Sequence, residues 1–263
     1  MTDPDVFLPD APPLQRRDWI AGLEKGLILL QAFDEMQPRL TASQAGQRCG
    51  MTRTVARRLL LTLAHLGFVA TDGKLYWLTP RVLRLGQGYL QSSRLPRAVQ
   101  PFLQRITSAT GEPAYLAVLD GDEVVTIARN GPQAVMNTGY VLGARVPARL
   151  TAAGQVLLAG QVPAEIDDWL AGVELSARTP FTLTRKPRLR QALAQIDEQG
   201  WALSEQQLAL GQRGVAVPLR DLQGVVVGAL SVTLPMGGES GAEAVSRVLP
   251  SLQATARSAR HVL

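Results

Sequence analysis

Residues 39–84 read RLTASQAGQRCGMTRTVARRLLLTLAHLGFVATDGKLYWLTPRVLR, and the fold of the N-terminal half turns on this stretch. Thr41 is placed to cap a short helix over Ala42–Arg48, and Gly50 is a natural stop for it. Thr52 caps a second helix that runs to about Leu66 and ends at Gly67. The turn between them, Cys49, Gly50 and Met51, has the length of a helix-turn-helix connection. Residues 68–77 then carry Asp72-Gly73 between two short runs of aromatic and β-branched side chains, a strong hairpin signal. Thr79-Pro80 supplies an N-cap and a first-turn proline for a further helix to about Ser93. Two short helices, a hairpin and a third helix form the winged helix-turn-helix pattern.

Charge singles out the same stretch. It holds eight arginines and lysines (Arg39, Arg48, Arg53, Arg57, Arg58, Lys74, Arg81, Arg84) against one acid, Asp72, whereas the whole chain is only +5. The rest of the chain is therefore slightly acidic, and a local excess of this kind inside ordered structure points to an anionic partner, duplex DNA. At roughly 100° per residue, Val55, Ala56, Leu59, Leu60, Leu63 and Leu66 share one arc of the second helix. Arg53, Thr54, Arg57, Arg58, Thr62 and His65 share the other, with Leu61 the one apolar intruder. Base readout in a helix-turn-helix comes from the N-terminal half of its second helix. Arginine reaches guanine bidentately there, and threonine meets a phosphate or a thymine methyl. The expected DNA-binding residues are Thr52, Arg53, Thr54, Arg57 and Arg58, with Lys74 at the tip of the wing.

Outward from this core, residues 20–33 have apolar positions at helical spacing, and residues 1–17 are Pro-rich and read as a disordered arm. The arm has no basic segment followed by an apolar one, so a soluble, cytoplasmic protein without membrane attachment is expected. The domains are read as a DNA-binding domain over 18–79, a linker or dimerisation helix over 80–94, and a second domain over 95–263. That second domain alternates differently. Strands are expected at 114–119, 124–129, 200–203, 214–219 and 225–234, and helices at 96–110, 152–159, 163–170 and 187–199. A terminal helix follows, which Pro250 starts or interrupts. The fold class is α+β, a sheet covered by helices and suited to sensing.

Enzymatic chemistry finds little material here. There are two histidines, His65 and His261, and one cysteine, Cys49, which excludes an intrachain disulfide and any multi-thiolate metal site. No Walker, dinucleotide or nucleophile-elbow spacing occurs, so neither a metal nor a cofactor is expected. Thr151-Ala152-Ala153-Gly154 opens a helix with small residues, which leaves N–H groups accessible to an anion, and Arg145 and Arg149 lie just upstream. Ser231 and Thr233 alternate with Leu230 and Val232 and so share one face of a strand.

The segments GLEKGLILLQAF (22–33), LTASQAGQRCGMTRTVARRLLLTLAHLGFV (40–69) and YWLTPRVLRLGQGYL (76–90) resemble the IclR-type transcriptional regulators. RVPARLTAAGQVLLAG, GWALSEQQLALGQRGVAVPLRD and GVVVGALSV continue the likeness through the second half. Within the family, the phrases TRTVARRLLLTL and LTPRVLRLG are most similar to regulators of p-hydroxybenzoate and protocatechuate degradation. The resemblance implies a winged-helix domain, a GAF-like effector-binding domain, dimers or tetramers on operator DNA, and a small organic acid as signal. The aromatic-acid subgroup consists mostly of activators; the alternative is a repressor answering to a small aliphatic acid. The effector pocket implied by the resemblance is lined here by Val135, Thr138 and Val146, by Arg149, Ala152 and Ala153, by Ser204, Gln212 and Gly214, and by Ser231 and Thr233. Ser204 and Gly214 stand where members that bind small aliphatic acids tend to carry an acid and a cysteine, which leaves room for an aromatic ring.

Overall fold

The structure is a computed structural model that describes residues 15–131 and 141–263. The arm expected over 1–17 lies outside the described residues except for its last three. The described residues form two compact units that part after Gln91.

The first unit is built by α1 (Ala21–Leu30), β1 (Leu40–Thr41), α2 (Ala42–Arg48), α3 (Arg53–His65), β2 (Val69–Thr71) and β3 (Leu75–Leu78). Thr41 and Gln44 make a reciprocal capping box at the start of α2, and the Thr52 hydroxyl caps α3 by accepting from the Val55 amide. The chain can turn tightly between α2 and α3 because position 46 has no side chain. A Cβ on Gly46 would lie 2.8 Å from the Met51 carbonyl, inside van der Waals contact. β2 and β3 pair in the expected hairpin, and β1 adds a third strand against β3, through Leu40 opposite Tyr76 and Thr41 opposite Leu75. That strand was not foreseen; a two-residue strand leaves no periodicity to read. Leu29, Leu40, Ala56, Leu60, Leu63, Val69 and Tyr76 close the core. Leu66, placed in the buried arc by helical spacing, is instead 47% exposed, because it is the C-cap just beyond the helix and Gly67 (φ 81°) turns the chain away. The helix expected from Pro80 opens as a 3-10 turn capped by Thr79 and continues as α4 (Leu83–Ser92).

The second unit has α5 (Arg94–Thr110), β4 (Ala114–Asp120), β5 (Glu123–Asn130), β6 (Arg145–Pro147), α6 (Ala152–Ala159), α7 (Pro163–Gly172), α8 (Lys186–Gln199), β7 (Ala202–Glu205), β8 (Gln212–Arg220), β9 (Val226–Pro235) and α9 (Gly241–Ala259). Pro250 lies inside α9 without ending it. The strands form one antiparallel sheet in the order β6-β5-β4-β9-β8-β7. Alternation splits their side chains between two faces. Leu116, Ile127, Val215, Val217, Leu230 and Val232 pack with Val99, Leu103, Ile106, Val248 and Leu252 of α5 and α9. Ala117, Val124, Ala216 and Ala229 face α6 and α8 through Val156, Leu157, Leu189 and Leu193. On this second face Ala117 and Gly214 are small where the sheet meets the start of α6, and both border the open space there.

Candidate functional site

Two sets of residues stand ready for binding, one in each unit. In the first, Arg53, Thr54, Arg57 and Arg58 are exposed on α3, while Ala56, Leu60 and Leu63 of the same helix are buried. Other cations of the basic stretch are committed within the protein. Arg48 is bridged to Asp34, Arg81 donates to the Leu66 carbonyl, and Arg39 stacks on Trp77 with its guanidinium 4.6 Å from the ring centre. None of Arg53, Arg57 or Arg58 belongs to an ion pair among the described residues. The hydroxyls on this surface differ. Thr52 is engaged in its cap and Thr62 donates to the Arg58 carbonyl (3.0 Å), which leaves Thr54 as the exposed threonine at the N-terminal end.

The hairpin turn is held by its own acid. Asp72 accepts from the amides of Leu75 (2.8 Å) and Lys74 (2.9 Å), and these two bonds hold its carboxyl below the usual carboxylate range. Thr71 donates to the Leu75 carbonyl (2.7 Å) and accepts from the Gly73 amide (3.0 Å), so its hydroxyl serves the turn. Lys74 remains exposed at the tip.

In the second unit, an open hollow lies between the sheet and the first turn of α6, about 360 Å³ when the solvent at its mouth is counted. A smaller hollow, about 230 Å³ counted in the same way, adjoins it, and Thr151, Ala152 and Gly214 line both. Their shape follows from local sequence. The Thr151 hydroxyl accepts from the Gly154 amide (3.0 Å) and starts the helix, and the N–H groups of Ala152 and Ala153 have no intrahelical acceptor. Gly154 lets the preceding 3-10 turn, Ala148–Leu150, press against α6, since a Cβ there would fall 2.0 Å from the Ala148 carbonyl oxygen. The strands supply the floor in register: Tyr115 opposite Ser231, Ala117 opposite Thr126, and Gly214 opposite Thr233.

Most of the residues expected at this site come together. Val146, Ala152, Ala153, Gly214, Ser231 and Thr233 line the larger cavity, and Ser204, Gln212 and Gly214 the smaller hollow. Ser231 and Thr233 are buried, so both hydroxyls serve the interior. Ser204 donates to the Leu150 carbonyl (3.1 Å). Val135 and Thr138 lie outside the described residues. Arg149 does not line either hollow. It is buried, and its Nη2 donates to the Ser176 carbonyl at 2.7 Å. Arg145 is also committed, to Asp120 (2.6 Å) and Glu123 (2.8 Å). Sequence reading missed Tyr115, Ala117, Val124 and Thr126. Each alternates on its strand with a core residue, so the period-two pattern placed them on one face but did not say which partner strands would complete it.

Residues 22–73 match the IclR helix-turn-helix domain, and residues 87–261 match the bacterial transcriptional regulator IclR C-terminal domain. The chain is 37% identical to the Pca operon regulatory protein of Acinetobacter baylyi, over 95% of this chain and 91% of that one. It is 36% identical to the p-hydroxybenzoate hydroxylase transcriptional activator of the same organism, over 95% and 94%. Among solved structures, a double mutant of the PobR inducer-binding domain from Acinetobacter, in complex with 3-hydroxybenzoic acid, is similar with a TM-score of 0.62 and 30% identity, covering 65% of this chain and all of that one.

Proposed function

The chain belongs to the IclR family of bacterial transcriptional regulators, and on that premise we propose that it controls genes of aromatic-acid catabolism, as an activator whose signal is a hydroxylated aromatic carboxylate. α3 reads operator DNA through Arg53, Thr54, Arg57 and Arg58, with Thr52 fixing the helix start and Lys74 meeting the backbone from the wing. The cavity beside α6 takes the acid. Its carboxylate faces the N–H groups of Ala152 and Ala153, where the helix dipole favours an anion. Its ring lies among Val124, Val146 and Ala117, and its hydroxyl pairs with Ser231, Thr233 or Thr126, since leaving it unpaired would cost about 1–3 kcal/mol. Ser204, Gln212 and Gly214 bound the adjoining hollow.

The observation that carries this reading is the cavity itself: a helix N-terminus on one side, hydroxyls on a sheet floor on the other, and aliphatic walls between. Those are the complementary features of a small aromatic acid with a polar substituent. The name of one Acinetobacter relative, the p-hydroxybenzoate hydroxylase transcriptional activator, agrees with that class of signal. Fluorescence anisotropy on DNA from the upstream region of the protein's own gene cluster tests it. Specific binding that changes on adding 4-hydroxybenzoate or protocatechuate is expected. Specific binding that answers only to a small aliphatic acid would leave a family regulator with a different signal.

A further inference from the structure

Outside the DNA-reading stretch, residues 175–196 form a second basic segment. They hold Arg178, Arg185, Lys186, Arg188 and Arg190 and no acid. Two of these cations are committed within the fold: Lys186 Nζ donates to the Ala171 carbonyl (2.8 Å), and Arg190 is bridged to Asp167 (2.7 Å). Arg178, Arg185 and Arg188 are exposed, and none belongs to an ion pair among the described residues. Stability of the helix does not explain Arg185 and Arg188. Both stand at the start of α8, where a cation opposes the helix dipole, and no side chain caps that end. The turn before α8 is fixed by its own hydroxyls. Thr182 Oγ1 accepts from the amides of Arg178 (3.1 Å) and Thr179 (3.0 Å) and donates to the Gln207 carbonyl (2.9 Å). Thr179 Oγ1 accepts from the Phe181 amide (3.1 Å) and donates to the Gln206 carbonyl (2.6 Å). These bonds tie the turn to Gln206 and Gln207 in the wall of the smaller hollow, while Phe181 itself stays 55% exposed.

We propose that Arg178, Phe181, Arg185 and Arg188 form a docking surface for an acidic segment of a protein partner, one that brings an apolar side chain to Phe181 among its carboxylates. Three unpaired cations set the sign of the partner by charge complementarity. Guanidinium forks meet carboxylates bidentately, and arginine and aromatic side chains are the types enriched where proteins bind one another. A turn already fixed by four hydroxyl bonds to backbone has little left to order on binding. Duplex DNA would use the charge but not the ring, since its phosphates are met by polar donors. The surface does not depend on which acid the larger cavity takes.

Fluorescence anisotropy of the full chain with labelled poly-L-glutamate and with labelled glutamate–tyrosine copolymer tests this, unlabelled duplex DNA being present to occupy α3. Both polymers are expected to bind saturably, the copolymer more tightly. Arg178→Glu/Arg185→Glu/Arg188→Glu should weaken copolymer binding by roughly tenfold or more, because like charges then meet. Arg97→Glu/Arg105→Glu/Arg257→Glu makes the same change in net charge on exposed arginines of α5 and α9, and should weaken it far less. Phe181→Ala should erase the copolymer's advantage over poly-L-glutamate. The surface variant should keep its fold and melt no lower than wild type, since it sets acids at the start of α8. Equal losses in the two triple variants would reduce the effect to net charge and overturn the surface. An advantage of the copolymer that survives Phe181→Ala, or no saturable binding of either polymer by wild type, would overturn it as well. Duplex affinity, measured without polymer, covers the remaining case: a fall in the surface variant and not in the control would make nucleic acid the partner and overturn the proposal.

Discussion

Single side chains divide the basic stretch into cations the protein uses and cations it presents. Arg48, Arg81 and Arg39 are held by Asp34, Leu66 and Trp77, while Arg53 and Arg57 project from α3 into solvent. Arg53→Ala or Arg57→Ala should therefore weaken specific operator binding by about 1–3 kcal/mol where the arginine contacts a base. Neither change should shift the melting temperature measurably, since neither side chain contributes to the core. Gel-shift titration beside a thermal melt checks both halves of that statement. The arginine-bearing face of α3 was legible in the sequence because a helix of known period sorts its own residues. The fate of Arg145 and Arg149 was not. Whether a cation upstream of α6 faces the cavity depends on Asp120, Glu123 and Ser176, which only long-range pairing brings near.

At the scale of elements, the same contrast recurs. Caps are local, so the starts of α2, α3 and α6 were readable from Thr41, Thr52 and Thr151. β1 and the strand order were not, because antiparallel pairing joins residues such as Tyr115 and Ser231 that lie far apart in the chain. The close approach of the 3-10 turn to α6 makes Gly154 a sharp test of the cavity's construction. Gly154→Ala should destabilise the protein by about 1–3 kcal/mol through overpacking, measured by urea denaturation. Gly22→Ala in α1 is the control: nothing lies within 4 Å of the added Cβ, and the substitution should be neutral or mildly stabilising. α4 presents Leu83 and Leu85 at 65% and 57% exposure, more apolar surface than a lone helix face needs. We expect that surface to meet a second copy of the chain. Sedimentation at micromolar concentration should show a dimer or larger for wild type and a shift toward monomer for Leu83→Glu/Leu85→Glu; no shift would place the contact elsewhere.

The whole molecule carries two candidate binding surfaces of opposite character in one chain. In the proposed function a basic helix with its apolar arc buried serves a polyanion, and a cavity with a helix N-terminus and strand hydroxyls serves a small one. The contrast between the halves was visible in charge alone, and the small residues at 151–154 and the alternating hydroxyls at 231 and 233 were legible as groups open to a ligand, while their place in one pocket came from the family resemblance. The pocket's depth was not legible, because it depends on Ala117 and Gly214 being small on the same face of a sheet whose order the sequence does not state. The most direct test is isothermal titration of 4-hydroxybenzoate and protocatechuate into wild type and Ala153→Asp, which sets a negative charge at the proposed carboxylate position. Saturable binding of at least one of these acids by wild type and none by the variant is expected, with specific DNA affinity in the absence of the acid retained. Unchanged binding by Ala153→Asp, or wild type that binds a small aliphatic keto acid and neither aromatic one, would contradict it.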